Sequence, residues 1–307
     1  MARNKIQFQK SPGLHAFIQQ YSAEAQCFDA LRWPDGFKCP ACGHDKSCRL
    51  NTRKLQQCNR CHRQTSLTVF EATKLSLTLW FQAIYLIIQD KKGISAMKLH
   101  RHLGISYNAA RLMKQKLMQF MMEREHDKPL SGFIELDDAY PGGERTGCKP
   151  GRGAVGKTPF VAAVEGTDKH SPVRIKLTKI KGFRSAGIRS WSGQHLAQGR
   201  IVISDGLACF NAVVDEGCGH DRIVCGGGRA PVEEPEFYWV NTIPGNLKSA
   251  LRSSYHSVRL QYAQRYLSEF AYRFNRRFDL PGMIPGLAHA SLRIVSMPEK
   301  LLKSGLE

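Results

Sequence analysis

Two apolar segments of this chain end in an aspartate followed by a turn, and these aspartates are the residues best suited to chemistry. In FIELDDAYPGG, residues 133–143, Asp137 follows an alternation of apolar and acidic side chains typical of a strand. In IVISDG, residues 201–206, Asp205 holds the same place before a glycine. Carboxylates at strand ends suit Mg²⁺, which prefers oxygen ligands. If the strands are neighbours, both aspartates can hold the same magnesium ions. Asp138 is expected on the opposite strand face, in a structural role.

Paired strand-end aspartates are found in α/β folds of the ribonuclease-H-like class, where a later helix supplies a third ligand. The corresponding segment, WVNTIPGNLKSALRSSYHSV at 239–258, contains no glutamate. Asn241 offers an amide oxygen, which can bind magnesium but adds no negative charge. Lys248 follows seven positions later, nearly two helical turns, so both side chains share one helix face. Pro244 is expected near the helix start, where proline is tolerated. Asn246 replaces Asn241 as the candidate if the helix begins later.

Four cysteines near the N-terminus have the spacing of a structural zinc site. Cys39 and Cys42 form one C-x-x-C pair, Cys58 and Cys61 form a second, and 15 residues separate the pairs. Each pair offers two thiolates to one tetrahedral ion, and zinc binding would supply the folding energy of so small a segment. Disulfides are disfavoured in a reducing compartment, and a redox motif is disfavoured by the duplicate pair. We predict a zinc ribbon.

The charge of the chain indicates a polyanionic partner. The 307 residues include 45 Lys and Arg against 26 Asp and Glu, which gives a net charge of +19 and a pI near 9.7. Nucleic acid and an anionic membrane surface are the main candidates. The sequence has no apolar run long enough to span a bilayer, and residues 1–20 lack the apolar core of a signal peptide. We therefore expect a cytoplasmic protein.

Residues 75–126 are predicted to be helical, with a helix-turn-helix pattern at 93–117. Gly93 is expected to end one helix, Ser95 and Ser106 to cap two more, and Gly104 to break the chain between them. The second helix of such a motif can enter the major groove of DNA. Its expected base-reading residues, all predicted to be exposed, are Tyr107, Asn108, Arg111 and Lys114. A plain helical bundle between two domains is the alternative.

Taken together, these segments resemble a bacterial insertion-sequence transposase of the ISXO type, insertion-sequence family 1595. The motifs that carry the resemblance are RWPDGFKCPACG at 32–43, LDDAYPGG at 136–143, GRGAVGKTP at 151–159, ISDG at 203–206, VNTIPGNLK at 240–248 and YLSEFAYRFNRRF at 266–278. The glycine-rich stretch at 144–159 is read as a basic loop near DNA phosphates. The resemblance implies an N-terminal segment with a zinc ribbon (1–72), a helix-turn-helix-like segment (73–128) and a ribonuclease-H-like catalytic domain (129–307).

The resemblance also implies a triad, Asp137, Asp205 and Asn241, with Lys248 after it as a phosphate contact. The expected reaction is two-metal phosphoryl transfer with Mg²⁺ on double-stranded DNA, at element ends and at the target. Because the third ligand is neutral, we expect weak occupancy of the second ion until DNA phosphate arrives. The expected protein is a homo-oligomer on DNA and is nucleoid-associated in a bacterial cytoplasm.

Two questions stay open at this point. The arginines of the YRFNRRF segment are read either as phosphate contacts or as a packed basic helix; they are Arg273, Arg276 and Arg277. The missing glutamate leaves open a zinc-ribbon DNA-binding regulator with an inert nuclease-like domain. A magnesium nuclease without strand transfer would use the same residues as a transposase.

Overall fold

The computed structural model describes residues 13–22, 36–50, 55–65, 74–126, 128–140, 158–167, 171–223, 237–255, 259–293 and 302. The predicted glycine-rich basic loop lies outside this set as far as residue 157. The described helices are α1 (Leu14–Gln20), α2 (Leu77–Gln89), α3 (Ala96–Leu103), α4 (Tyr107–His126), α5 (Ser185–His195), α6 (Tyr238–Ser254), α7 (Ala263–Asn275) and α8 (Leu280–Arg293), with 3₁₀ segments at Ala208–Glu216 and Leu260–Tyr262. The described strands are β1 (Ser47–Leu50), β2 (Leu55–Cys58), β3 (Gln64–Thr65), β4 (Phe133–Ala139), β5 (Phe160–Gly166), β6 (Pro172–Lys179), β7 (Ile201–Ser204) and β8 (Gly219–Arg222).

The chain divides into two compact units. One comprises residues 1–90, 94–120 and 278–305, and the other comprises 91–93, 121–277 and 306–307. Within the first unit α8 packs against α2. Residues 278–305 thus group with the helical segment, whereas the domain boundaries expected from sequence include them in the catalytic domain, 129–307. None of the described helices is long and apolar enough to cross a membrane.

Serine caps and one glycine define the helices of the first unit, as the sequence predicts. The Ser95 hydroxyl accepts the Lys98 N–H at 3.1 Å at the start of α3, and the Ser106 hydroxyl accepts the Ala109 N–H at 3.2 Å at the start of α4. Gly104 ends α3 in the left-handed region, at φ 63°. One boundary was wrong: α2 ends at Gln89, so Gly93 lies in the following turn.

The second unit is built on a five-stranded sheet in the order β6-β5-β4-β7-β8. The first three strands of the unit, β4 to β6, pair antiparallel, whereas β7 and β8 extend the sheet in parallel from β4. This arrangement is the ribonuclease-H-like α/β fold expected from the sequence. All seven residues of β5 are buried, as an interior strand covered on both faces requires.

Alternation along β4 separates a packing face from a functional face. Ile134 and Leu136 are fully buried in a cluster with Ile188 and Trp191 of α5 and with side chains of the 3₁₀ segment at Ala208–Glu216. Helix α6 contacts β4 and β5, and α7 contacts β6. The sheet is therefore covered by helices, and its central strand carries the acidic residues Glu135 and Asp137 between apolar positions.

Candidate catalytic metal centre

The register of β4 and β7 brings the two predicted aspartates together. The parallel pairs run from Ile134 with Val202 to Leu136 with Ser204, so Asp137 and Asp205 each follow the last pair. Both therefore stand at the carboxyl edge of the sheet, where open α/β sheets bind their ligands. Carboxylate oxygens of Asp137, Asp138 and Asp205 all lie within 4.8 Å of one another, and all three residues are half-buried.

Asp138 joins this cluster, which differs from the structural role expected for it. Strand alternation would direct it away from Asp137, but it lies past Leu136, the last residue of β4 that pairs with β7. No β7 residue stands beside Asp138 to separate the two faces of the sheet. A short carboxylate at an open strand end can therefore reach the same space as its neighbour.

Backbone N–H groups hold two of the three carboxylates in this cluster. Asp138 N–H donates to Asp137 Oδ1 at 2.7 Å, and Leu207 N–H donates to Asp205 Oδ1 at 3.1 Å. Three carboxylates this close repel one another unless a proton or a cation intervenes. An all-oxygen donor set of this kind fits a hard divalent cation such as Mg²⁺ or Mn²⁺.

Helix α6, which carries the third predicted ligand, is bound to the same strand. Glu135 Oε2 accepts the N–H groups of Trp239 at 3.1 Å and Val240 at 2.9 Å, and Asn241 is the next residue. The helix begins at Tyr238, ahead of Asn241, so the condition that favoured Asn246 is not met. Asn241 and Lys248 are both half-buried.

The position of proline in α6 differs from the prediction. Pro244 is the seventh residue of the helix and is buried, rather than standing near the start. Helix α6 begins earlier than expected because Glu135, which is far from it in the sequence but next to it in the fold, accepts the N–H groups of its first turn.

The four cysteines converge as a zinc ribbon requires. Their sulfurs lie within 4.8 Å of one another, with Cys39 Sγ 3.5 Å from Cys61 Sγ and Cys42 Sγ 3.6 Å from Cys58 Sγ. Tetrahedral zinc with bonds of about 2.3 Å separates its sulfurs by roughly 3.8 Å. The set therefore fits zinc. Around it, β1, β2 and β3 form a small antiparallel sheet.

The pKa values of the thiols differ within the four-cysteine cluster. Burial opposes ionisation of Cys39, but backbone N–H groups of Ala41 and Cys42 outweigh it and lower the pKa of its thiol to about 6. Burial also opposes ionisation of Cys58, but backbone hydrogen bonds from Cys61 and Arg60 outweigh it and lower the pKa of that thiol. A backbone hydrogen bond from His44 favours ionisation of Cys42, but burial and the hydrogen bonds of the neighbouring sulfurs outweigh it and raise the pKa to about 12. Metal binding would release the remaining protons.

Three of the four residues predicted to read DNA bases lie at or near the surface of α4. Tyr107 and Asn108 are exposed and Arg111 is half-buried. The fourth prediction was wrong: Lys114 is 2% exposed, and its ammonium donates to the carbonyl of Ile94. Lys114 lies with Ala110 and Met113 on the buried face of α4. Its ammonium therefore binds the loop before α3 rather than DNA.

The YRFNRRF arginines form their contacts within the second unit, which supports the packed interpretation rather than DNA contact. Arg273 is buried and donates to Glu269 at 2.7 Å. Arg276 is paired with Glu125 and stacks on Tyr272. Arg277 donates to backbone carbonyls of β6, and burial lowers its pKa to about 10. Each guanidinium has acceptors inside the fold, an arrangement that favours the packed basic helix over phosphate contact.

Comparison with known proteins identifies both parts of this chain. Residues 129–275 match the model of the ISXO2-like transposase domain, and residues 22–64 match the transposase zinc-ribbon domain of IS1595. The chain belongs to the IS1595 transposase family. The first match spans β4, β7, α6 and α7, and the second spans the cysteine pairs, so both sites described above belong to transposase domains.

Two further proteins are similar to this IS1595-type chain. One is the "uncharacterized protein in transposable element ISH50" of Halobacterium salinarum (strain ATCC 700922 / JCM 11081 / NRC-1), 24% identical over 70% of this chain and 77% of that protein. The other is the crystal structure of a pre-cleavage Mos1 transpososome, 9% identical over 71% of this chain and 80% of the other. Its TM-score of 0.26 is too low to carry an argument.

Proposed function

We propose that this transposase binds the terminal inverted repeats of its insertion sequence and catalyses DNA cleavage and strand transfer with divalent metal ions. The observation that carries the proposal is the convergence of three carboxylates, Asp137, Asp138 and Asp205, at the carboxyl edge of β4 and β7. That cluster lies inside the transposase domain match.

The proposed roles divide between metal ligands and DNA contacts. Asp137, Asp205 and Asn241 hold Mg²⁺, and the carboxylate of Asp138 supplies the negative charge that the amide of Asn241 lacks. Magnesium supplies activation of the attacking oxygen and stabilisation of the leaving oxygen in phosphoryl transfer. The chain itself fixes the carboxylates of Asp137 and Asp205 through backbone N–H groups, so these two need little rearrangement when DNA arrives. Lys248 contacts the phosphate next to the cut.

DNA recognition is assigned to the helix-turn-helix and the ribbon. Tyr107, Asn108 and Arg111 begin the second helix of the motif, where such helices reach base edges. The zinc ribbon adds exposed basic side chains, namely Lys38, Lys46, Arg49, Arg60 and Arg63. Phosphate contacts of this kind strengthen binding without reading sequence. Because two element ends must be joined in one reaction, we propose that the active form is a homo-oligomer on double-stranded DNA.

A cleavage assay on labelled terminal inverted repeats tests the proposal. Full-length wild type with Mg²⁺ should produce nicked ends and products joined to target DNA. Asp137→Ala and Asp205→Ala should bind the repeats in a gel-shift assay but yield neither product. Nicking without joining would indicate a nuclease. Binding by wild type without any cleavage would indicate the DNA-binding regulator with an inert domain and would overturn the enzymatic proposal.

A further inference from the structure

The first turn of α6 lacks a capping residue of its own. Its N-cap is Phe237, whose side chain makes no capping hydrogen bond, and its first turn contains no acidic residue. The first N–H groups of any helix have no partner within the helix. In α6 the N–H groups of Trp239 and Val240 instead donate to Glu135 of β4, about a hundred residues earlier in the chain.

The carboxylate of Glu135 is buried in the middle of the sheet, where an ionised side chain destabilises the fold unless it has partners. It is 1% exposed and lies in the central strand of the sheet. Burying a carboxylate is unfavourable unless hydrogen bonds and positive potential stabilise the charge. Two backbone N–H groups and the positive end of the α6 dipole supply both.

Pro244 weakens the N-terminal part of α6 at the end opposite to Glu135. A residue at this position would normally donate its N–H to the carbonyl of Val240, four residues earlier, but proline has none. The turns from Tyr238 to Ile243 are therefore less firmly tied to the rest of α6 than an ordinary helix would be. Asn241 lies within this segment.

We propose that Glu135 is a positioning residue that fixes the first turn of α6 to β4 and so sets Asn241 beside Asp137. Glu135 and Asp137 are two residues apart on one strand face, so one β-strand determines the place of two ligands. The role rests on the proposed function, since Asn241 matters as a ligand only if the site binds metal. Glu135 itself stays outside the metal cluster.

Hydrogen–deuterium exchange on full-length protein without metal or DNA tests the anchor directly. Glu135→Ala should accelerate exchange at residues 238–243 about tenfold, which corresponds to about 1.4 kcal/mol and is within the range for a lost helix cap. Residues 247–254 should be unchanged. Glu135→Gln should be intermediate, because its amide oxygen still accepts N–H groups but carries no charge.

A second-site variant and the metal requirement extend the test to function. Glu135→Ala should raise the Mg²⁺ concentration for half-maximal cleavage about tenfold. Adding Pro244→Ala should bring both exchange and metal requirement part of the way back, because alanine restores the N–H for the Val240 carbonyl. Glu165→Ala is the matched control: Glu165 is another buried carboxylate of this sheet, facing Arg174, and its loss should leave the metal requirement unchanged.

Two results would overturn the anchor. One is unchanged exchange at 238–243 in Glu135→Ala. The other is faster exchange spread evenly over the sheet and α6, with the same metal requirement as the Glu165→Ala control, which would mean a general structural role. Wild type that cleaves no DNA would overturn the proposed function, while the exchange data would still decide whether Glu135 holds the helix.

Discussion

His220 Nε2 lies 2.8 Å from Ser204 Oγ, and the Ser204 hydroxyl donates its hydrogen to the backbone carbonyl of Asp205 at 3.1 Å. The contact joins β8 to the end of β7, directly before Asp205. Burial lowers the pKa of His220, with Asp221 opposing the shift and Arg222 adding to it. Folding therefore favours the neutral imidazole over the charged form.

This shift predicts a pH dependence of stability. Because the folded pKa is depressed, the contribution of His220 is fully present above its unfolded value of about 6.5 and is lost as pH falls through the folded value. We expect wild type to lose more unfolding free energy than His220→Gln between pH 7.5 and 5.5, as measured by urea denaturation. The exposed His102→Gln should behave as wild type. An equal pH response in wild type and His220→Gln would contradict the prediction.

Asp138→Asn tests the third carboxylate of the metal cluster. Removing its charge leaves Asp137 and Asp205 as the two carboxylates facing the bound cations, so we expect the Mg²⁺ concentration for half-maximal cleavage to rise about tenfold, an effect of about 1.4 kcal/mol. The measurement is a metal titration of end cleavage. Asp215→Asn, which removes an exposed carboxylate paired with Arg189, should leave the titration unchanged. Identical titrations for both variants would remove Asp138 from the site.

Zinc removal should affect the ribbon alone. A high-affinity chelator or Cys58→Ser should unfold residues 36–65, since the fold energy of so small a sheet comes from the metal. Proteolysis should then cut within the ribbon while the second unit stays intact. Cys48→Ser is the control, because Cys48 is exposed and outside the four-sulfur set. Zinc content unaffected by Cys58→Ser would contradict the assignment.

Arg111→Ala and Lys114→Ala should separate DNA recognition from stability. Arg111 is half-buried on the helix proposed to read DNA, so its loss should weaken repeat binding with little change in unfolding free energy. Lys114 holds the Ile94 carbonyl from a buried position, so its loss should destabilise the first unit by about 1–3 kcal/mol. Fluorescence anisotropy and urea denaturation measure the two effects. Matching effects in both assays would mean that the two residues share one role.

Features that depend on residues near one another in the sequence could be predicted from the sequence. Ser95, Gly104 and Ser106 were predicted because caps act within a few residues. Lys114 could have been assigned to the core, since Ala110, Met113, Lys114 and Leu117 recur at helical spacing on the buried face.

Other features could not be found from local patterns. The partners of Glu135 lie on α6, and the acid that pairs with Arg276 is Glu125 of α4, so no nearby spacing reveals either contact. The place of Asp138 in the carboxylate cluster was missed for a different reason. Alternation along a strand predicts which face of the sheet a side chain occupies only where a neighbouring strand lies on each side, and β7 does not extend beside Asp138. The two aspartates themselves were predictable because each closes an apolar run before a turn.

The different lengths of β4 and β7 limit which sequence changes the chain tolerates. Their pairing stops at Leu136 and Ser204, and the acidic residues begin immediately afterwards. One residue inserted between Ile201 and Ser204 would turn Asp205 to the other side of the sheet. Natural relatives of this chain should therefore vary in loop length on either side of these short strands while keeping the count of residues within them.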